Sequence, residues 1–125
     1  MSCVAIVGFW LIGLRNELFF LYWWRDIPLH FLGGLWVYFL VKYLANISNV
    51  NISSTWPHVS EFAIFLGFVM LIGVFWEFFE LVLDRFIMHN GFTYLSGVYE
   101  DTLSDLLCDF FGGTAGFILF NKKSA

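Results

Sequence analysis

Residues 62–76 read FAIFLGFVMLIGVFW, fifteen consecutive positions that hold no charged side chain. Glu61 precedes this run and Glu77 follows it. A helix needs about 20 mostly apolar residues to cross the hydrocarbon core of a bilayer. The run is therefore the centre of a longer span, and we predict one helix over residues 61–88. An apolar helix of this length is typical of an integral membrane protein.

The composition of the whole chain favours the same class. Of its 125 residues, 60% are hydrophobic and 13% are charged, and the mean hydropathy is +0.79. Soluble domains carry about 25% charged residues, and a soluble chain this short cannot hide so much apolar surface. A bilayer removes that requirement because it is itself an apolar solvent. We predict an all-α membrane bundle, with residues 1–125 forming a single transmembrane domain.

About four transmembrane helices are expected. Polar, turn-forming segments separate the apolar stretches, which places the helices at about 3–24, 28–44, 61–88 and 102–120. Polar residues 15–17 interrupt the first stretch near its middle. We interpret that stretch as one helix whose polar residues face the bundle. The alternative is a half-inserted segment followed by a helix in the membrane interface.

The lipid bilayer is the partner that this composition implies. The chain has a net charge of −4 and no basic stripe, so a nucleic acid partner is not expected.

Acidic residues and one histidine concentrate at three predicted helix ends. In an up-and-down bundle, the start of 28–44, the end of 61–88 and the start of 102–120 lie on the same side of the membrane. These places hold Asp26 and His30, then Glu77, Glu80 and Asp84, and then Asp101, Asp105 and Asp109. Within each helix the acids are three or four residues apart, so they share a helix face. We therefore expect one acidic cleft between the helices.

Such a cleft needs compensating positive charge. A central Asp in a membrane helix costs roughly 2.5 to 3.5 kcal/mol on insertion scales. Protons, arginines or a bound divalent cation can offset this cost. Oxygen-rich ligands with at most one imidazole suit Mg²⁺, Mn²⁺ or Ca²⁺ better than a structural zinc site, and Mg²⁺ or Mn²⁺ is the expected ion.

Each polar residue receives an expected role on these grounds. The candidate metal ligands lie within otherwise apolar stretches, and they are Glu77, Glu80, Asp105 and Asp109. The candidate acid and base are Asp26 and His30. The remaining members of the cluster are Asp84, Asp101 and Arg85. The alternatives are that Asp84 and Asp101 face water at helix ends and that His30 is a packing residue.

Glycines mark the expected helix contacts. Gly33 and Gly34 belong to the second predicted helix, and Gly112, Gly113 and Gly116 to the fourth. Small residues let membrane helices approach closely, which would bring the acidic faces together. A homodimer contact through Gly112 and Gly116 is the alternative role for that pair.

Three sequence blocks stand out: RDIPLHFLGG (25–34), WEFFE (76–80) and YEDTLSDLLCDFFGG (99–113). Together they resemble the YjdF-type inner-membrane proteins, which are similar in plan to the VanZ-like family. The resemblance implies a multi-pass protein of the inner (cytoplasmic) membrane without a settled activity. Residues 104–109 depart from the VanZ-like pattern of Asp followed by Asn, so the YjdF-type resemblance is the closer one.

The sequence leaves three functions open. The first is a metal-dependent membrane enzyme that acts on a lipid or envelope headgroup. The second is a proton or cation pathway, since intramembrane acids often mark one. The third is a structural protein whose acids form a buried packing network. Whether the protein is an enzyme is therefore not decided by the sequence.

Overall fold

The computed structural model describes residues 26–50, 58–89 and 97–121, together with Gly8. In this part of the chain the secondary structure is helical: α1 spans Asp26–Ile47, α2 spans His58–Val82 and α3 spans Val98–Phe120. A π-helical segment, Leu83–Met88, continues α2. The predicted all-α class is confirmed here. Apart from Gly8, the helix predicted over 3–24 lies outside the described residues, so a fourth span stays a prediction.

Within the described residues, three helices are long and apolar enough to cross a membrane: Asp26–Ile47, His58–Met88 and Val98–Phe120. The corresponding predictions were 28–44, 61–88 and 102–120, so each observed helix begins a few residues earlier. Pro28 lies in the first turn of α1, where its missing N–H would be unsatisfied in any case.

Large apolar side chains cover the outside of the bundle. Examples are Tyr43 on α1, Phe75 on α2 and Ile118 on α3, all of which are exposed. Water would make so much exposed apolar surface unfavourable, whereas the acyl chains of a bilayer solvate it. The outward faces are therefore the surfaces that contact lipid.

An apolar core fills one half of the bundle. It consists of Val37, Tyr38, Val41, Phe65, Val69 and Phe117. The ring centroid of Tyr38 lies 5.2 Å from that of Phe65 and 6.4 Å from that of Phe117. The inward face of α2 steps through Glu61, Phe65, Val69 and Gly73. The next step of four is Glu77, so this face carries an acid at each end and apolar residues between.

Glycines bring α1 and α3 into backbone contact. A Cβ atom at Gly112 would overlap the carbonyl oxygen of Phe31, and one at Gly34 would overlap the backbone of Asp109. A Cβ atom at Gly113 would lie 2.9 Å from Val69 Cγ2. These positions therefore allow close approach within one chain.

Gly116 on α3 also lies against a residue of α1. A Cβ atom there would lie 2.7 Å from Cδ1 of Tyr38. Gly112 and Gly116 thus both face α1 of their own chain, and the homodimer through this pair stays a prediction.

Substitution of Gly112 by alanine tests this close approach. The added methyl group meets backbone atoms of α1 that cannot rotate away, so Gly112→Ala should lower the free energy of unfolding by about 1 to 3 kcal/mol. Unfolding in detergent measures the effect. Gly67→Ala is the control, because a Cβ atom at Gly67 meets nothing within 4 Å. Equal stability of the two variants would contradict the observed contact.

Candidate functional site

Polar side chains from all three helices meet at one end of the bundle. His30 lies in the second turn of α1, Asp105 and Asp109 lie on α3, and Glu77 lies on α2. His30, Asp105 and Asp109 are 7%, 4% and 5% exposed, and Glu77 is half-buried. The helix ends that the up-and-down prediction placed on one membrane side therefore contribute to a single cluster.

The imidazole of His30 lies between carboxylates on its two sides. Its Nδ1 atom is 3.2 Å from Asp109 Oδ2, within hydrogen-bond distance. Its Nε2 atom is 3.7 Å from Asp105 Oδ2 and 3.9 Å from Glu77 Oε1. Each ring nitrogen thus faces different carboxylates.

This division gives the two nitrogens different chemical roles. When the proton is on Nδ1, His30 donates a hydrogen bond to Asp109, and the lone pair of Nε2 points toward Glu77 and Asp105. Metal-binding histidines usually donate the N–H that is remote from the metal to a carboxylate or carbonyl, which sets the tautomer and the ring orientation. The cluster has the same layout.

The separations between the ligand atoms suit a metal ion. The ligand atoms of His30, Glu77 and Asp105 all lie within 4.8 Å of one another. Ligands about 2.1 Å from an ion are about 3 Å apart at a right angle and about 4.2 Å apart on opposite sides. The two measured separations from Nε2 fall inside that interval. These three residues can therefore hold an ion after small side-chain movements.

Glu77 supplies an acceptor that faces into the cluster. Its Oε1 atom is buried and accepts no hydrogen bond from the described residues. A buried polar atom without such a partner is unfavourable by about 1 to 3 kcal/mol. A cation beside Oε1 would remove that penalty.

A comparison with known protein families shows the family to which the chain belongs. The family described as "Predicted membrane protein (DUF2238)" matches residues 2–124. The chain belongs to this family. No curated protein and no solved structure matches it, so the relation to YjdF-type and VanZ-like proteins stays a prediction. With three candidate spans among its described residues, the protein is a multi-pass membrane protein with a buried His/Asp/Glu cluster.

Among the remaining residues predicted for the site, Glu80, Asp26 and Asp101 interact electrostatically with His30 or Asp105 and so lie near the cluster. Glu80 is half-buried, and its Oε1 atom accepts a hydrogen bond of 2.9 Å from Trp76 Nε1. Asp26 lies in the first turn of α1, and Asp101 is exposed on α3. Asp84 is buried in the π-helical segment, and Arg85 beside it is exposed.

A second polar group at the opposite end of the bundle was not predicted. Glu61, the first residue of the helix predicted over 61–88, is 1% exposed. His58 Nδ1 lies 3.3 Å from its Oε2 atom. Lys42 Nζ donates to the carbonyl oxygen of Phe120 at 2.7 Å and to Tyr38 Oη at 3.4 Å. The spacing of 16 residues between Glu61 and Glu77, four steps of four, was the available signal.

Removing one carboxylate from the cluster tests whether the cluster is a metal-ligand site or a stabilising packing network. Glu77→Gln keeps the size of the side chain and removes its repulsion with Asp105. In metal-free protein we therefore expect the free energy of unfolding to rise by about 0.5 to 2 kcal/mol, as is common when functional sites are relieved of strain. Unfolding in detergent with EDTA measures it.

Glu100→Gln is the control for this experiment, because Glu100 is exposed and surface changes usually stay within about 0.5 kcal/mol. A clear loss of stability in Glu77→Gln would instead mean that the carboxylate belongs to a stabilising network.

Proposed function

We propose that this protein binds a divalent metal ion through His30 Nε2, Glu77 and Asp105, with one ligand from each described helix. Asp109 orients the imidazole from its other side. The observation that supports this proposal most strongly is the division of the two ring nitrogens of His30 between Asp109 and the pair of Asp105 and Glu77. A metal-binding histidine usually donates its remote N–H to a carboxylate in this way, which leaves the other nitrogen for the ion.

The geometry favours a different distribution of roles from the one expected from sequence. His30 was expected as an acid or base and Asp109 as a ligand. In this proposal His30 is a ligand and Asp109 orients its imidazole, because Nε2 faces Asp105 and Glu77 and Asp109 lies on Nδ1. Glu80 lies outside the group of three ligands, and its hydrogen bond from Trp76 makes it an outer residue of the site.

The ligand types favour Mn²⁺ among the expected ions. Carboxylates suit Mg²⁺, Ca²⁺ and Mn²⁺, whereas imidazole is a ligand of later transition metals. Mg²⁺ prefers oxygen ligands in a near-ideal octahedron and gives up its waters reluctantly. Mn²⁺ accepts both ligand types, so one imidazole with two carboxylates favours it over Mg²⁺.

The position of the site suggests what the metal acts on. His30 lies four residues after the start of α1 and Asp105 lies seven after the start of α3, which corresponds to depths of about 6 and 10 Å along the helices. Three protein ligands leave coordination positions for water or for a substrate oxygen. An oxygen of a lipid or envelope headgroup reaches this depth from the interface, in keeping with a metal-dependent membrane enzyme of the cytoplasmic membrane.

The apolar core disfavours the alternative of a proton or cation pathway. Val37, Phe65 and Val69 are buried between the cluster at His30 and the second polar group at Glu61. A charge crossing that layer would leave the polar groups that solvate it, which is costly at membrane depth. A site confined to one end of the bundle accords better with binding and catalysis than with passage.

Calorimetric titration with Mn²⁺ tests the proposed site. The purified protein in nanodiscs of zwitterionic lipid should bind Mn²⁺, and Asp105→Asn and Glu77→Gln should each weaken binding by at least tenfold, since even outer-shell substitutions cost about 10- to 100-fold. Glu61→Gln is the matched control, because Glu61 is a buried acid outside the cluster. Its Mn²⁺ affinity should equal that of the unmodified protein.

Two results would contradict the proposal. One is no binding by the unmodified protein at millimolar Mn²⁺. The other is the same affinity in Asp105→Asn, Glu77→Gln and Glu61→Gln, which would place any bound ion elsewhere. Parallel titrations with Mg²⁺ and Zn²⁺ identify the preferred ion.

A further inference from the structure

Gly73 on α2 faces the carboxylate of Asp109. A Cβ atom at this position would lie 2.5 Å from Asp109 Oδ2, 3.3 Å from its Cγ and 3.3 Å from Leu106 Cδ2. Carbon and oxygen atoms that are not bonded to each other do not approach to 2.5 Å, because dispersion attraction is optimal near 3.5 to 4.0 Å and repulsion rises steeply below it. Any side chain at position 73 would therefore displace the oxygen that pairs with His30 Nδ1.

The carboxylate of Asp109 is bordered by glycine on α1 as well. A Cβ atom at Gly33 would lie 3.6 Å from Asp109 Oδ1, which is an ordinary contact. One at Gly34 would overlap the backbone of Asp109. The glycines of α1 thus admit the backbone of α3, whereas Gly73 admits the carboxylate itself.

We propose that Gly73 is a positioning residue of the metal site, whose missing side chain leaves the space from which Asp109 reaches His30. The inference rests on the proposed metal centre and extends the role of α2 in it. This helix then contributes Glu77 as a ligand and, at Gly73, the space for the carboxylate that orients His30. Gly73 acts through Asp109 and touches no metal.

Gly73→Ala is expected to change the site and to spare the fold. The atom that the new methyl group meets most closely is the end of the Asp109 side chain, which can rotate about two bonds. The fold therefore accommodates alanine, but the hydrogen bond between Asp109 and His30 is lost or weakened. A Cβ atom at Gly34 or Gly112 would instead meet backbone atoms, which cannot rotate away.

The first experiment measures Mn²⁺ affinity in nanodiscs for Gly73→Ala, Asp109→Ala and the double variant. Each single variant should lose about 10- to 100-fold in affinity, the usual effect of removing the partner of a metal-binding histidine. The double variant should equal Asp109→Ala, because the methyl group no longer has a carboxylate to displace. Gly67→Ala on the same helix is the control and should bind like the unmodified protein.

The second experiment needs no metal. In ¹⁵N-histidine-labelled, metal-free protein, the Nδ1–H resonance of His30, assigned by its loss in His30→Gln, should shift in Gly73→Ala toward its position in Asp109→Ala. It should not shift in Gly67→Ala. This reading tests the position of Asp109 even if the unmodified protein binds no Mn²⁺, an outcome that would remove the proposed function.

Two outcomes overturn the role of Gly73 while leaving the metal site intact. One is a Gly73→Ala variant that keeps both the Mn²⁺ affinity and the Nδ1–H resonance of the unmodified protein. The other is a further loss of affinity on adding Gly73→Ala to Asp109→Ala, since an effect that does not require the carboxylate acts through general packing.

Discussion

The hydrogen bond between His30 Nδ1 and Asp109 Oδ2 is the constraint on which the polar end of the bundle depends. It joins α1 to α3 where their backbones are already in contact through glycine. Because this bond occupies one edge of the imidazole, the other edge is turned toward Asp105 and Glu77. One interaction therefore orients the histidine and defines the pocket in which the proposed ion binds.

Apolar packing stabilises one half of the bundle, whereas the other half holds carboxylates whose burial is unfavourable. Tyr38, Phe65, Val69 and their neighbours form a dense apolar core, and the lipid-facing surface needs no polar compensation. The acidic end has little apolar burial to offset its carboxylates, and charge at membrane depth is costly. Functional sites commonly carry such local instability, and the proposed cation would offset part of this cost.

Much of this arrangement could be predicted from sequence, and the reasons differ by feature. Hydropathy revealed the spans, and counting bilayer crossings brought His30, Glu77 and Asp105 to one side. The pairing of each ring nitrogen with its carboxylate could not be predicted, because it depends on helix rotations of a few tens of degrees. The role of Gly73 could not be predicted, because α2 is apolar on every face over 62–76. No periodicity in the sequence therefore distinguishes the buried side of this helix.

The most direct test of the central claim is pulsed electron paramagnetic resonance of the Mn²⁺-loaded protein in nanodiscs. If His30 holds the ion, ¹⁴N modulation from one directly coordinated imidazole should appear and should be lost in His30→Gln. It should be retained in His58→Gln and His89→Gln, which replace the other two histidines of the chain. A Mn²⁺ signal without nitrogen coupling, or one that persists unchanged in His30→Gln, would contradict a metal centre built on His30.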